Sequence, residues 1–217
     1  MTADDLHDKS WRSLWLSSGA MSAALLGDAL IYVVLPVNAS AFGISLAWVG
    51  VLLAANRIVR TFSYGIIAAL GERIGFKGLC VLASLTALAS TAMYGLFQGW
   101  APLLTARVLW GLSYGSLILA TLGYAAADRS RTGTRVGVSR AVEQVGPLLA
   151  LTVGAWLAGV VGPRDVFFYL ALVSSIAVFL ALFLPGMPTR SKAWSSDRPG
   201  IIPKPGRLDL LIFWMGF

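Results

Sequence analysis

Five ionisable side chains sit inside long apolar stretches of this chain: Asp28, Arg57, Arg60, Arg107 and Glu143. A charge held in hydrocarbon is costly unless it is paired or hydrated, so each is a candidate for work inside a membrane. At about 1.5 Å of rise per residue, Asp28 lies roughly 21 Å from the start of its stretch at Leu14, hence about 9 Å below the far surface of a ~30 Å hydrocarbon core. Arg107, counted inward from Ala101, reaches the same depth. The two could pair. A carboxyl whose arginine neighbour approaches and withdraws changes its proton affinity, which is what proton coupling requires. A fixed ion pair that orients two helices would use the same residues, and both readings stand.

The same count puts Arg60, about 21 Å inward from Leu46, near the depth of Glu143, which is about 9 Å in from Gly137 on the opposite side. Arg57 lies one turn from Arg60, so both can face one cavity. A cation pair there suits an anionic or polar substrate, or it is satisfied by backbone carbonyls and water. Arg140 lies within a turn of the end of its stretch and is expected to reach the surface. The stretches hold no His/Cys metal constellation, no paired catalytic carboxylates and no nucleotide loop, so neither an enzyme nor a cofactor is expected. The single cysteine, Cys80, allows no internal disulfide and reads as packing, and His7 as a surface residue.

The elements that must position these groups follow from composition. The chain is 57% hydrophobic and 12% charged, with a mean hydropathy of +0.76, against roughly a quarter charged in soluble domains. It reads as a membrane protein. Asp4, Asp5, His7, Asp8 and Lys9 form the wrong flank for a secretory signal peptide. The net charge of +7 sits mostly in short turns, which points to orientation in the bilayer rather than to nucleic acid. Six stretches are long enough to span: Leu14–Leu35, Leu46–Leu70, Gly78–Phe97, Ala101–Ala126, Gly137–Val161 and Val166–Leu184. The turns Val37–Ser45 and Gln98–Trp100 carry no charge, whereas Gly71–Lys77 and Ala127–Val136 are charged. Positive-inside bias then puts the N-terminus, residues 1–13, in the cytoplasm of a multi-pass cell (inner) membrane protein. Only Arg164 breaks the asymmetry, and Asp165 sits beside it. Residues 185–207 read as a basic cytoplasmic linker after the 14–184 bundle, and 208–217 as the start of a seventh span. The expectation is therefore a longer protein with further spans, and the alternative a half-size protein with an interfacial tail.

Small residues add a second message. Gly111-x-x-x-Gly115 lets another helix approach closely, and Gly146-Pro147 removes a helix hydrogen bond and predicts a kink.

These features resemble the N-terminal half of the major facilitator superfamily of secondary transporters. That family's signature between spans two and three runs Gly-x-Leu-x-Asp-Arg-x-Gly-Arg-Arg/Lys. Here Ala68 to Lys77 matches at Leu70, Arg73, Gly75 and Lys77, with Glu72 for Asp next to Gly71; Ala68 and Phe76 depart from it. Arg107 to Gly111 is similar to the family's Arg-x-x-x-Gly in span four, whose arginine is implicated in proton coupling. Gly146-Pro147 resembles the core of the antiporter signature of span five, with Ala150 and Leu151 where a glycine pair is usual. The resemblance implies an all-α fold of two inverted three-helix repeats in one six-helix bundle, with a second bundle as its missing other half. Spans one and four would line a central cavity. It implies proton-coupled export of small organic molecules across the lipid bilayer, with Asp28 as proton carrier and Arg107 as its partner. An uptake symporter of the same fold, or a non-transporting fragment or dimerising half-size protein, is the alternative.

Overall fold

Every regular element that the structure, a computed structural model, describes is helical; the description covers residues 3–186. The linker and seventh-span expectations beyond Gly186 lie outside it. In chain order come α1 (Ala3–Val37), a 3-10 turn (Ala39–Phe42), α2 (Leu46–Leu96), α3 (Trp100–Ala125) and a second 3-10 turn (Arg129–Arg131). Then follow α4 (Thr132–Glu143), α5 (Val145–Leu149), a π-helical turn (Ala150–Gly154), α6 (Ala155–Val161) and α7 (Val166–Leu182). Four helical stretches are long and apolar enough to cross a membrane: Ser10–Val37, Leu46–Leu96, Trp100–Ala125 and Thr132–Val161. The expected single cytoplasmic segment 1–13 is thus already helical from Ala3.

The 51-residue α2 is a hairpin. Its backbone leaves the helical region only at Gly75, at φ 73° and ψ 166°, a combination essentially confined to glycine. The doubling back is fixed at the other end. The Gly99 amide donates to the Phe42 carbonyl at 2.9 Å, and Trp48 stacks on Trp100 at 4.9 Å, so residues flanking the two ends of α2 are neighbours. Its arms, 46–74 and 76–96, are about 43 Å and about 31 Å long, each enough to cross a ~30 Å core. The expected seven-residue turn Gly71–Lys77 is therefore corrected to a break at one residue. Charge marks where water begins, but nothing in Glu72, Arg73 or Lys77 prevents helical hydrogen bonding, and only the glycine is needed for the reversal. Phe76, which stands where the resembled signature has arginine, packs its ring against the Tyr124 ring at 6.3 Å, closing the hairpin tip onto the end of α3. Gly75→Ala is expected to cost about 1–3 kcal/mol, read as a lower unfolding midpoint in detergent micelles. Gly65→Ala, where an added Cβ meets nothing within 4 Å, should be neutral or stabilising by up to about 1 kcal/mol.

Two apolar clusters fill the bundle. One gathers Leu30, Phe42, Tyr94 and Phe167; the other gathers Met21, Trp110, Leu117 and Tyr124. Arg107 follows Ala106 of the first and precedes Trp110 of the second, at the boundary between them. Gly111 and Gly115 let α3 close onto the first arm of α2: an added Cβ would stand 2.8 Å from the Asn56 carbonyl oxygen and 2.8 Å from Ile67 Cδ1, respectively. At the far end Arg164 donates to the Gly95 carbonyl at 2.7 Å, so the base that broke the charge asymmetry caps the second arm.

Thr132–Val161 starts five residues before the expected Gly137 and is interrupted at Gln144 and again by the π turn. Pro147 has no N–H to offer the Glu143 carbonyl. The backbone stays right-handed helical at Gln144, Leu149, Ala150, Gly154 and Ala155, so the expected kink at Gly146-Pro147 takes the form of redistributed hydrogen bonds and a widened turn. In the loop before it, the Ser130 hydroxyl and amide both donate to Asp128 and hold its carboxyl below the usual carboxylate range.

Candidate functional site

Helical spacing gathers polar groups on facing sides of four elements. On α1, Asp28 and Tyr32 are one turn apart; on the first arm of α2, so are Asn56 and Arg60; on α3, Arg107, Trp110 and Tyr114 follow the three-four spacing of one face. Together with Arg57 and the Arg140–Pro147 region, most of these line a cavity of ≈ 410 Å³, within the range that holds small-molecule ligands. The cavity wall thus includes the first arm of α2 and the α4–α5 segment as well as α1 and α3, the first and fourth passes expected from the resemblance.

Asp28 and Arg107 meet, with Arg107 Nη1 2.5 Å from Asp28 Oδ1. Arg107 is buried, and the fold surrounds it with acceptors from three directions. Its Nε donates to the Leu52 carbonyl at 3.1 Å, its Nη2 to the Tyr32 hydroxyl at 2.8 Å, and its Nη1 also to the Tyr94 hydroxyl at 3.4 Å. One side chain of α3 thereby ties together α1 and both arms of α2. Tyr32 is held in turn by Asn56, the amide donating to its hydroxyl at 3.2 Å, while the Ser90 hydroxyl, beside Tyr94, donates to the Ala106 carbonyl at 2.8 Å.

Glu143 is also buried, but its partner is Arg140 rather than Arg60: Arg140 Nη1 reaches Glu143 Oε2 at 2.8 Å. Arg140 is 44% exposed, in keeping with its place near the end of the stretch, and it also borders the cavity beside its (i, i+3) partner. Ser139 donates to Glu143 Oε1 at 2.9 Å and shares a 2.8 Å hydrogen bond with Ser18. One turn further along α1 and two turns beyond Ser139, the Gly146 amide donates to Ser22 Oγ at 2.8 Å. Arg60 lies over the Tyr114 ring at 4.6 Å, and Arg57, one turn away, is exposed at the cavity.

The motif residues Leu70, Gly71, Glu72, Arg73, Gly75 and Lys77 lie away from this cavity, at the hairpin tip. Glu72 and Arg73 are exposed there, and among the described residues none of the charged three forms an ion pair. Cys80 is buried in the second apolar cluster. Reading the sequence for charges alone missed Tyr32, Asn56, Tyr94, Ser18, Ser22, Trp110 and Tyr114. For Tyr32, Trp110 and Tyr114 the available signal was spacing, one or two turns from Asp28 or Arg107 on the same helix; Tyr94 and Ser18 carry no such signal. No described group of three or more His, Cys, Asp or Glu could hold a metal ion.

The arrangement offers a salt-linked carboxylate on the wall of a polar cavity at membrane depth, and an arginine that its neutral partners hold in place. A family model described as Major Facilitator Superfamily matches residues 17–214. No curated protein matches the chain.

Proposed function

This chain belongs to the major facilitator superfamily, and from that premise we propose that it exports small organic molecules by proton-coupled alternating access. Membership makes it a multi-pass membrane protein of a non-enzymatic family of secondary transporters acting on small molecules. The reading of coupling rests on one observation, that Asp28 pairs with Arg107 at the cavity wall. Arg107 keeps the Leu52 carbonyl and the two tyrosines whatever happens to the carboxyl, so Asp28 is the member that can exchange a proton with the cavity. Protonation discharges the pair and loosens α1 from α3. A contact that exists in one protonation state and not in the other is what biases a two-state carrier. Glu143, with Arg140, is a second carboxylate on the same wall.

Each arm of α2 is long enough to cross, which makes five passes of the four long stretches; we read α7, a 17-residue apolar helix, as the sixth, in an arrangement of two inverted three-helix repeats. The basic residues Arg73, Lys77, Arg131 and Arg135 favour a cytoplasmic face at the hairpin tip, with the N-terminus on that side of the cell (inner) membrane. Glu72, Arg73 and Lys77 are then available to latch a second helical body across that face, which would also cover the cavity. Gly146-Pro147 supports export through its likeness to the antiporter signature.

The test is proton flux in proteoliposomes of known orientation with an acidic lumen, followed by a trapped pH dye as candidate compounds are added. Asp28→Asn is expected to reduce compound-driven proton flux to background. Flux unchanged in that variant removes the coupling role of Asp28, and movement of compound in the opposite sense reverses the assigned direction.

A further inference from the structure

We infer that the cavity binds a small organic anion, a carboxylate, sulfonate or phosphate on an apolar body, between Arg57 and Arg60. The identity of its occupant as a transported substrate rests on the carrier reading; the sign of its charge does not.

Two carboxylates lie on the cavity wall, and each already has its own arginine: Asp28 has Arg107 at 2.5 Å and Glu143 has Arg140 at 2.8 Å. Arg57 and Arg60 also line the cavity, and among the described residues neither has a carboxylate within ion-pair distance. Nor does either guanidinium, with its five N–H donors, donate a hydrogen bond to a described carbonyl or hydroxyl. Tyr114 covers one face of Arg60, but a ring beneath the guanidinium plane leaves its edge donors unused.

Depth removes the alternative of lipid headgroups. Arg57 and Arg60 stand about 16 Å and about 21 Å along the arm from Leu46, and farther still from Gly75. Neither can snorkel that distance. Water can hydrate them in the cavity, yet it supplies no opposite charge; Asp28 is within electrostatic reach of Arg60 but is salt-linked to Arg107, and the two cations one turn apart repel each other. An anion supplies both the charge and the acceptors, and two adjacent guanidinium forks suit a planar carboxylate or a tetrahedral oxyanion.

Trp110 lines the cavity and is almost fully buried, with its indole N–H beside the Asp28 carboxyl. The apolar part of the ligand has Met21, Leu25 and the Trp110 ring to rest on.

The test reads charge at the cavity without requiring transport. In detergent-purified protein, Ala29→Cys places a thiol on the cavity wall. Its labelling rate is compared for the anionic sulfonatoethyl and the cationic trimethylammonioethyl methanethiosulfonates. The anion-to-cation rate ratio, normalised to 2-mercaptoethanol, is expected to be raised by about tenfold. Adding Arg57→Gln and Arg60→Gln, in protein that remains monodisperse, should remove most of that preference. Benzenesulfonate should slow labelling in the arginine-containing protein and not in the double variant, while benzyltrimethylammonium slows neither. A cation preference, a ratio unchanged by the double substitution, protection by the ammonium probe, or no protection by benzenesulfonate overturns the assignment. Any of these leaves the proton-flux result at Asp28 standing, and a failed flux assay leaves the sign of the cavity readable.

Discussion

Arg107→Met is expected to destabilise the protein by about 3–5 kcal/mol, and Asp28→Asn in the same chain to restore at least half of that loss without restoring transport. Removing one member of a buried pair strands the other charge, which is the costly event; removing both replaces an ion pair by groups that need less solvation. Arg107 is 1% exposed and Asp28 13% exposed, so a stranded carboxylate has only the cavity, and a stranded guanidinium not even that, to solvate it. Methionine approximates the arginine stem in volume, which keeps a cavity penalty from masking the electrostatic one. Chemical unfolding of the single and double variants in the same micelles gives the comparison. If the double variant is as unstable as Arg107→Met, the Leu52 carbonyl and the tyrosine hydroxyls left without their donor set the cost, and the charge pair does not. Proton flux separates function from stability: the double variant lacks the titrating carboxyl and should stay at background even where its stability has returned.

Gly146→Ala carries the second large effect. A Cβ at that position would stand 1.8 Å from the Ser22 carbonyl oxygen and 2.7 Å from its carbonyl carbon. Both are backbone atoms of a long helix, so no rotamer change relieves the contact, and α1 and α5 must separate. Separation also breaks the Gly146 amide to Ser22 Oγ hydrogen bond and strains the neighbouring Ser18–Ser139 contact. The expected loss is about 3 kcal/mol or more, seen as a lower unfolding midpoint or as failure to purify as a monodisperse species. Gly137→Ala is the matched control on the same pass, since nothing lies within 4 Å of its added Cβ; it should match or slightly exceed the parent in stability. Equal behaviour of the two variants would show that α1 and α5 are not in backbone contact.

Close approach explains why Ser18 and Ser22 escaped a reading of the sequence. Serines in an apolar run look like neutral filler until a second helix arrives with Ser139 and Gly146 at matching heights. Thr132–Val161 is itself weakly packed, with 17% of its most apolar window buried against 61% for Ser10–Val37. Its attachment to α1 therefore depends on these few polar and glycine contacts more than on apolar area.

Arg140 illustrates the same limit for charges. Its position near the end of an apolar stretch made the surface its cheapest destination when only depth was considered. Arg140 does stay exposed, but it also pairs with Glu143 and borders the cavity, which depth alone does not reveal. The Gly71–Lys77 segment erred in the opposite direction: charge there suggested an open turn, yet six of the seven residues are compatible with helix, and the reversal needs only Gly75.

What the sequence determined by itself was how far along its own helix each group lies. The rise per residue is fixed, and hydrocarbon accepts only long apolar runs, so span lengths, charged ends and the shared depth of Asp28 and Arg107 could be counted. What the tertiary structure alone decided was rotation about each helix axis and distance between axes. Those depend on contacts between residues far apart in the chain, and they choose Arg140 for Glu143, give Arg107 its carbonyl and tyrosine partners, and leave Arg57 and Arg60 facing a cavity with no salt-linked carboxylate of their own among the described residues.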